Sequence, residues 1–190
     1  MRLFLYWRLS TAAREVPKVG NSVNRCCRVF KKNPSPGKIL YDIRGGISMY
    51  ILSTKADFDS AHFLKDYEGK CANIHGHRWT VSIDVKGKKL TETGSTRGMI
   101  VDFSELKKSL RKLTKALDHS LIMEEGALKK NTEEALSDEG FRIIKFPFRP
   151  TAENFAKYFY DKMTEAGYNV AKVSVYETPN NVASFIPDED

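Results

Sequence analysis

Three of the four histidines, His62, His75 and His77, fall in one short stretch together with Cys71. A His-x-His pair plus a nearby third His can hold a metal while leaving one coordination position open. Three imidazoles suit Zn²⁺, whose tetrahedral preference leaves a fourth place for water or substrate. With Cys71 as fourth ligand, the same spacing also allows a closed Cys-His₃ structural site. Cys71 is a catalytic thiol if a neighbouring metal or imidazolium lowers its pKa, and otherwise a small buried hydrophobe.

Two further groups could do chemistry. Asp118-His119 brings the fourth histidine beside a carboxylate. Taken alone it reads as a helix C-terminus with a dipole-favoured His. Glu177 lies in the run Val173-Ser174-Val175-Tyr176-Glu177 and shares the parity of Val173 and Val175. A carboxylate on an apolar face needs a partner, either a ligand offering two N–H donors or an arginine.

The elements that must position these groups follow from periodicity. Met49 to His62 is extended, with Tyr50, Leu52, Ala56 and Phe58 in phase. From His75 to Gly87, Trp79, Val81, Ile83 and Val85 alternate with polar residues, a half-buried strand that puts His75 and His77 on its apolar side. Phe103, Leu106, Leu110, Leu113 and Leu117 form one helical stripe. Glu124 to Gly140 is a charged, partly helical excursion, and Phe141 to Phe146 a short strand. Pro150-Thr151-Ala152-Glu153 opens a second helix with Phe155, Phe159 and Met163 inward and Gly167 as its stop. Val170 to Thr178 and Val182 to Ile186 make a terminal hairpin around Pro179-Asn180-Asn181. The order is ββααββ: a mainly antiparallel sheet with two helices on one face, in the α+β class.

The chain of 190 residues is long enough for one well-buried domain. It has no run long enough to span a bilayer, which reads as a soluble protein. Its formal charge of +7 is unevenly spread. Residues 1–48 hold ten Lys/Arg against Glu15 and Asp42, leaving the remainder near neutral, with 21 basic and 22 acidic groups. That near-neutrality argues against nucleic acid as a partner of the folded part. Cys71 has no cysteine to pair with in the compact region, which fits a reducing cytoplasm. We read residues 1–48 as a basic, disordered or non-native extension, and residues 49–190 as a single catalytic domain. The extension has three competing readings: a transit-type leader, a basic arm for RNA, or translated upstream sequence, with Arg44-Gly45-Gly46 encoded by a ribosome-binding site ahead of Met49.

Six motifs carry a family resemblance: Phe58-Asp59-Ser60-Ala61-His62, Cys71-x₃-His75-Gly76-His77, Gly98-Met99-Ile100-Val101-Asp102-Phe103, Leu117-Asp118-His119, Pro150-Thr151-Ala152-Glu153-Asn154 and Glu177-Thr178. In that order, over Met49 to Ile186, the chain resembles the 6-pyruvoyltetrahydropterin synthase / 6-carboxytetrahydropterin synthase family. The resemblance implies the tunnelling fold, in which subunits join antiparallel strands into barrels. It further implies a homohexamer of two stacked trimers with active sites between subunits. It implies His62, His75 and His77 as ligands of one zinc per subunit and Cys71 as the proton-transferring thiol. Asp118 and His119 would be the acid–base partners of that thiol, and Glu177 the anchor for the pterin's amino-pyrimidinone edge.

Within the resembled family, Cys-x₃-His-x-His is the pattern of the queuosine-pathway 6-carboxy branch, and Cys-x₅-His-x-His that of the 6-pyruvoyl enzymes. A folate-linked branch carries glutamate in place of the cysteine. The implied reaction takes 7,8-dihydroneopterin triphosphate to 6-carboxytetrahydropterin, acetaldehyde and triphosphate. No nicotinamide is needed, because the side chain is oxidised as the ring is reduced, and no Gly-x-Gly-x-x-Gly fingerprint is present. The alternatives are the 6-pyruvoyl product and, more remotely, a zinc-stabilised module whose basic leader contacts RNA. Glu124 to Phe148 departs from the minimal family pattern as an insertion, affecting either substrate access or subunit packing.

Overall fold

The structure is a computed structural model that describes residues 49–188. The leader of residues 1–48, and with it every reading offered for that segment, lies outside the described residues. Strands β1 (Tyr50–His62) and β2 (His75–Gly87) are long and antiparallel, paired in unbroken register from Tyr50 opposite Gly87 to His62 opposite His75. Helix α1 (Phe103–Leu117) follows, then β3 (Ser120–Glu124), α2 (Lys130–Asp138), β4 (Ile143–Phe146) and α3 (Ala152–Glu165). The terminal hairpin is β5 (Val170–Thr178) and β6 (Asn181–Phe185). Together the strands form a six-stranded sheet in the order β4-β3-β1-β2-β5-β6.

The expected α+β architecture is present, with an antiparallel body of β1, β2, β5 and β6. Two strands extend it: β3, which precedes the expected excursion, pairs parallel with β1, and β4, which follows that excursion, pairs parallel with β3. Strand β3 left no alternation in the sequence, because Ser120, Ile122 and Met123 are all buried and period two is lost. The excursion's helix is confined to α2, so the described chain carries three helices where two were expected.

Alternation decides which face is covered. Ala56 and Phe58 of β1, the odd residues Trp79 to Val85 of β2, and Val173 and Val175 of β5 are buried in one cluster. Leu106, Leu110 and Leu117 of α1 and Phe155, Phe159 and Met163 of α3 complete it. Asp102 caps α1, its side chain accepting from the Ser104 amide at 2.6 Å, and Thr151 opens α3 in the same way. At the first position of the expected α1 stripe the structure differs: Phe103 is exposed, and Thr114 is buried instead. Helix α3 ends where expected, with Gly167 at φ +91°, the left-handed conformation that glycine adopts without a Cβ clash.

An aromatic stack ties this core to the histidines. Phe155 of α3 meets the Trp79 ring edge-on at 5.0 Å, and Trp79 lies 5.0 Å from His62 and 5.5 Å from His77. Phe155→Ala removes a fully buried ring and should lower stability by about 3–5 kcal/mol in urea unfolding. A loss under about 1 kcal/mol would mean that the helix layer closes over the void.

Candidate active site

The register of β1 on β2 sets His62 directly opposite His75, with His77 opposite Ser60, two residues along. All three imidazoles project to the covered side. One ring nitrogen from each lies within 4.8 Å of the others. His62 is almost wholly buried, at 1% exposure, and the other two are half-buried.

The hydrogen bonds of the rings explain what those nitrogens are for. His62 Nδ1 lies 2.8 Å from the Pro150 carbonyl, and His75 Nδ1 2.8 Å from the Asn73 carbonyl. A carbonyl only accepts, so each Nδ1 carries the proton and each Nε2 presents a lone pair. The Nε2 atoms of His62, His75 and His77 are buried and have no hydrogen-bond partner among the described residues. Three converging, orphaned lone pairs are costly unless a ligand satisfies them. Imidazoles oriented by backbone carbonyls are the usual outer support of a metal site. The residues present therefore fit a metal ion held by three nitrogens.

Electrostatics favour the neutral form of His62 and His77. Burial pushes His62 down to about 4, against an ordinary 6.5, with a smaller opposing effect from the Pro150 carbonyl. His77 is lowered by burial too, partly offset by the Glu177 carboxylate. Glu177 Oε1 lies 3.5 Å from His62 Nε2 and 3.7 Å from His77 Nε2. The carboxylate expected on the apolar face of β5 is there, at the mouth of the histidine cluster.

Cys71 sits half-buried on a single 3₁₀ turn, Lys70–Ala72, whose carbonyl at Cys71 accepts from the Leu64 amide at 2.8 Å. It lines a groove of about 320 Å³ with His62, Tyr67, Thr151, Glu153 and Glu177. It is not part of the cluster that could hold a metal, which among the described residues comprises His62, His75 and His77.

Asp118 and His119 are built elsewhere. Asp118 caps the C-terminus of α1, and one carboxylate oxygen accepts from the Asp59 amide at 2.8 Å. The other lies 2.9 Å from His119 Nδ1. That amide bond, the largest influence, and His119 after it hold the Asp118 carboxyl below its ordinary range. The His119 amide in turn donates to the Asp59 carbonyl at 2.7 Å, so both residues hang on the edge of β1 that β3 then continues. His119 lines a second groove, of about 680 Å³, with Ala61, His77, Arg78, Phe141 and Arg142. Within one chain, Cys71 and the Asp118–His119 pair thus open into different grooves, with the histidine cluster contributing to both.

Several supporting residues carried no chemical signal in the sequence. The Pro150 and Asn73 carbonyls are backbone groups, invisible to residue type. Asp59 takes a two-pronged ion pair from Arg78, at 2.9 and 2.7 Å, which lowers its carboxyl below the ordinary range. The pairing became evident only from register, since Asp59 is opposite Arg78.

The sequence profile of the family described as 6-pyruvoyl tetrahydropterin synthase matches residues 51–188. A Synechocystis protein named 6-carboxy-5,6,7,8-tetrahydropterin synthase is 32% identical over 139 residues, covering 72% of this chain and 93% of that one. A protein of the same name from Haemophilus influenzae is 27% identical over 140 residues, 72% of this chain and 99% of its own length. Among solved structures, Plasmodium falciparum 6-pyruvoyl tetrahydropterin synthase superposes with a TM-score of 0.54 at 22% identity, covering 73% of this chain and 97% of that one. At that identity the superposition speaks for the fold, while the profile match across the histidines, the Asp-His pair and Glu177 carries the kinship. The chain belongs to the 6-pyruvoyl tetrahydropterin synthase family of enzymes.

Proposed function

We infer that this chain is a zinc-dependent 6-carboxy-5,6,7,8-tetrahydropterin synthase of the queuosine pathway, acting on 7,8-dihydroneopterin triphosphate. The observation that carries this reading is the set of three orphaned Nε2 atoms beside a groove that also holds Cys71 and Glu177. His62, His75 and His77 would hold one Zn²⁺ per subunit. When bound, the ion supplies Lewis-acid polarisation of the substrate's side-chain oxygens. The names of the relatives and the Cys-x₃-His-x-His spacing support the 6-carboxy product. The active site sits in the domain spanning residues 49–190.

The protein's own groups have distinct tasks. Glu177 offers two acceptor oxygens at the mouth of the site, matching the paired N–H donors of an amino-pyrimidinone edge. Cys71 Sγ exchanges a proton with the side-chain carbon. Asp118, held ionised by the Asp59 amide, fixes the proton of His119 on Nδ1 and leaves Nε2 to exchange a second proton. The separate grooves of Cys71 and His119 support a site completed across a subunit boundary, as in a hexamer of two trimers. No helix among the described residues is long and apolar enough to cross a membrane. A cytoplasmic location is consistent with that and with the free thiol of Cys71.

Incubation with 7,8-dihydroneopterin triphosphate should release acetaldehyde in step with 6-carboxytetrahydropterin. Formation of 6-pyruvoyltetrahydropterin without acetaldehyde would assign the chain to the 6-pyruvoyl activity instead. Cys71→Ala should abolish turnover while zinc stays at about one per subunit by elemental analysis. Loss of the metal in that variant would indicate the closed Cys-His₃ site.

The metal-free protein should show a defined pH dependence. His62 stays neutral in the fold down to about 4, whereas it takes up a proton near 6.5 when unfolded. The unfolded state therefore binds more protons across that window, and stability falls as pH drops from 6.5 toward 4. Denaturant midpoints measured on chelator-treated protein should follow that slope, and His62→Gln should flatten it. A slope that survives the substitution would belong to other groups.

A further inference from the structure

We propose that Arg142 is a positioning residue for the Asp118–His119 pair, and that the β3–α2–β4 excursion places it. The proposal rests on the acid–base reading of that pair. The last carbonyls of a helix have no partners within it, and a carboxylate at the helix C-terminus sits against the negative end of the dipole. Helix α1 ends in this unfavourable way, on Asp118. The Arg142 guanidinium answers both problems. It donates to the Asp118 carbonyl at 2.8 Å and to the Ala116 carbonyl at 2.6 Å, one planar fork spanning two carbonyls.

The same residue acts on the far side of His119. The Arg142 carbonyl accepts from the Leu121 amide at 2.9 Å. Arg142 therefore brackets the turn, its side chain on the carbonyl before His119 and its backbone on an amide shortly after it. That turn needs bracing, because His119 has φ +52°, a left-handed conformation that is strained for a side-chain-bearing residue. The His119 side chain is 81% exposed. With so little packing around the ring, its direction depends on the backbone and on the 2.9 Å contact with Asp118.

Arg142 is itself well placed to serve. Helix α2 closes on Gly140 at φ +84°, with the Gly140 and Phe141 amides donating to the Ser137 and Leu136 carbonyls. Immediately after Arg142, Ile143 pairs with Leu121 as β4 joins the sheet. The excursion thus delivers a guanidinium to the end of α1. Arg142 also lines the larger groove, where a phosphate contact is the competing role, but its fork is turned onto the two carbonyls.

The test is steady-state kinetics of the full-length zinc-loaded enzyme with 7,8-dihydroneopterin triphosphate. Arg142→Gln should lower kcat about tenfold or more, with KM within about twofold, zinc content unchanged and Tm lowered only by the few degrees that two lost carbonyl contacts imply. Arg142→Lys, which can reach one carbonyl, should recover part of kcat. In a His119→Ala background the Arg142→Gln change should cost nothing further. A raised KM at unchanged kcat would make Arg142 a substrate contact and overturn the proposal. So would unchanged kinetics, a loss of zinc or partial unfolding at the assay temperature that accompanies the fall in kcat, or an equal loss in the His119→Ala background. Full turnover by His119→Ala alone would instead overturn the acid–base reading, a result independent of Arg142.

Discussion

The structure turns on the convergence of three buried imidazole Nε2 atoms that have no hydrogen-bond partner among the described residues. Burying one such nitrogen has a cost, and burying three together is repulsive to any protonated form. The fold sustains the arrangement by holding His62 and His75 through their other ring nitrogens on carbonyls, and by backing the cluster with the fully buried Trp79 ring. Each of those supports comes from a different segment: the loop before β2, the turn leading into α3, and the core face of β2. The helix layer, the aromatic stack and the long β1–β2 register can all be understood as the apparatus that keeps three donors aimed at one point.

The second chemical pair is organised by a different constraint. Asp118 stands where a helix least tolerates a carboxylate, and its charge is stabilised by an amide of β1 and by His119, while the Arg142 guanidinium takes its backbone carbonyl. This links the end of α1 to the same strand that carries His62. Asp59 is the point of attachment, its amide and carbonyl both committed to the Asp118–His119 turn and its side chain to Arg78. The Phe58-to-His62 motif is therefore a shared edge: one end carries His62 into the imidazole cluster and the other holds the Asp118–His119 pair.

Much of this was legible from residue order because strand parity is a local property. Alternation along β2 put His75 and His77 on the apolar side, and alternation along β5 did the same for Glu177. Those inferences needed no knowledge of the neighbours. Strand β3 escaped notice for the opposite reason: flanked by β1 and β4 and largely covered, it has no polar phase to reveal it. Phe103 misled because a helical stripe gives direction around the axis but does not say where the core stops along it.

By itself the sequence determined the chemical inventory, the two long strands with their faces, the principal helices, and the family to which their motifs belong. All of these follow from residue type and short-range period. Only the tertiary structure decided which atoms of those residues are free to react. Pro150 lies 88 positions from His62, and the carbonyl that orients its ring could be any backbone oxygen until the chain closes. The Arg142 fork, 24 and 26 positions from its acceptors, and the separation of Cys71 from His119 into different grooves have the same origin. Hydrogen-bond partnership and shared cavities depend on distance in space, and distance in space is set by sheet register and helix packing rather than by neighbours in the chain.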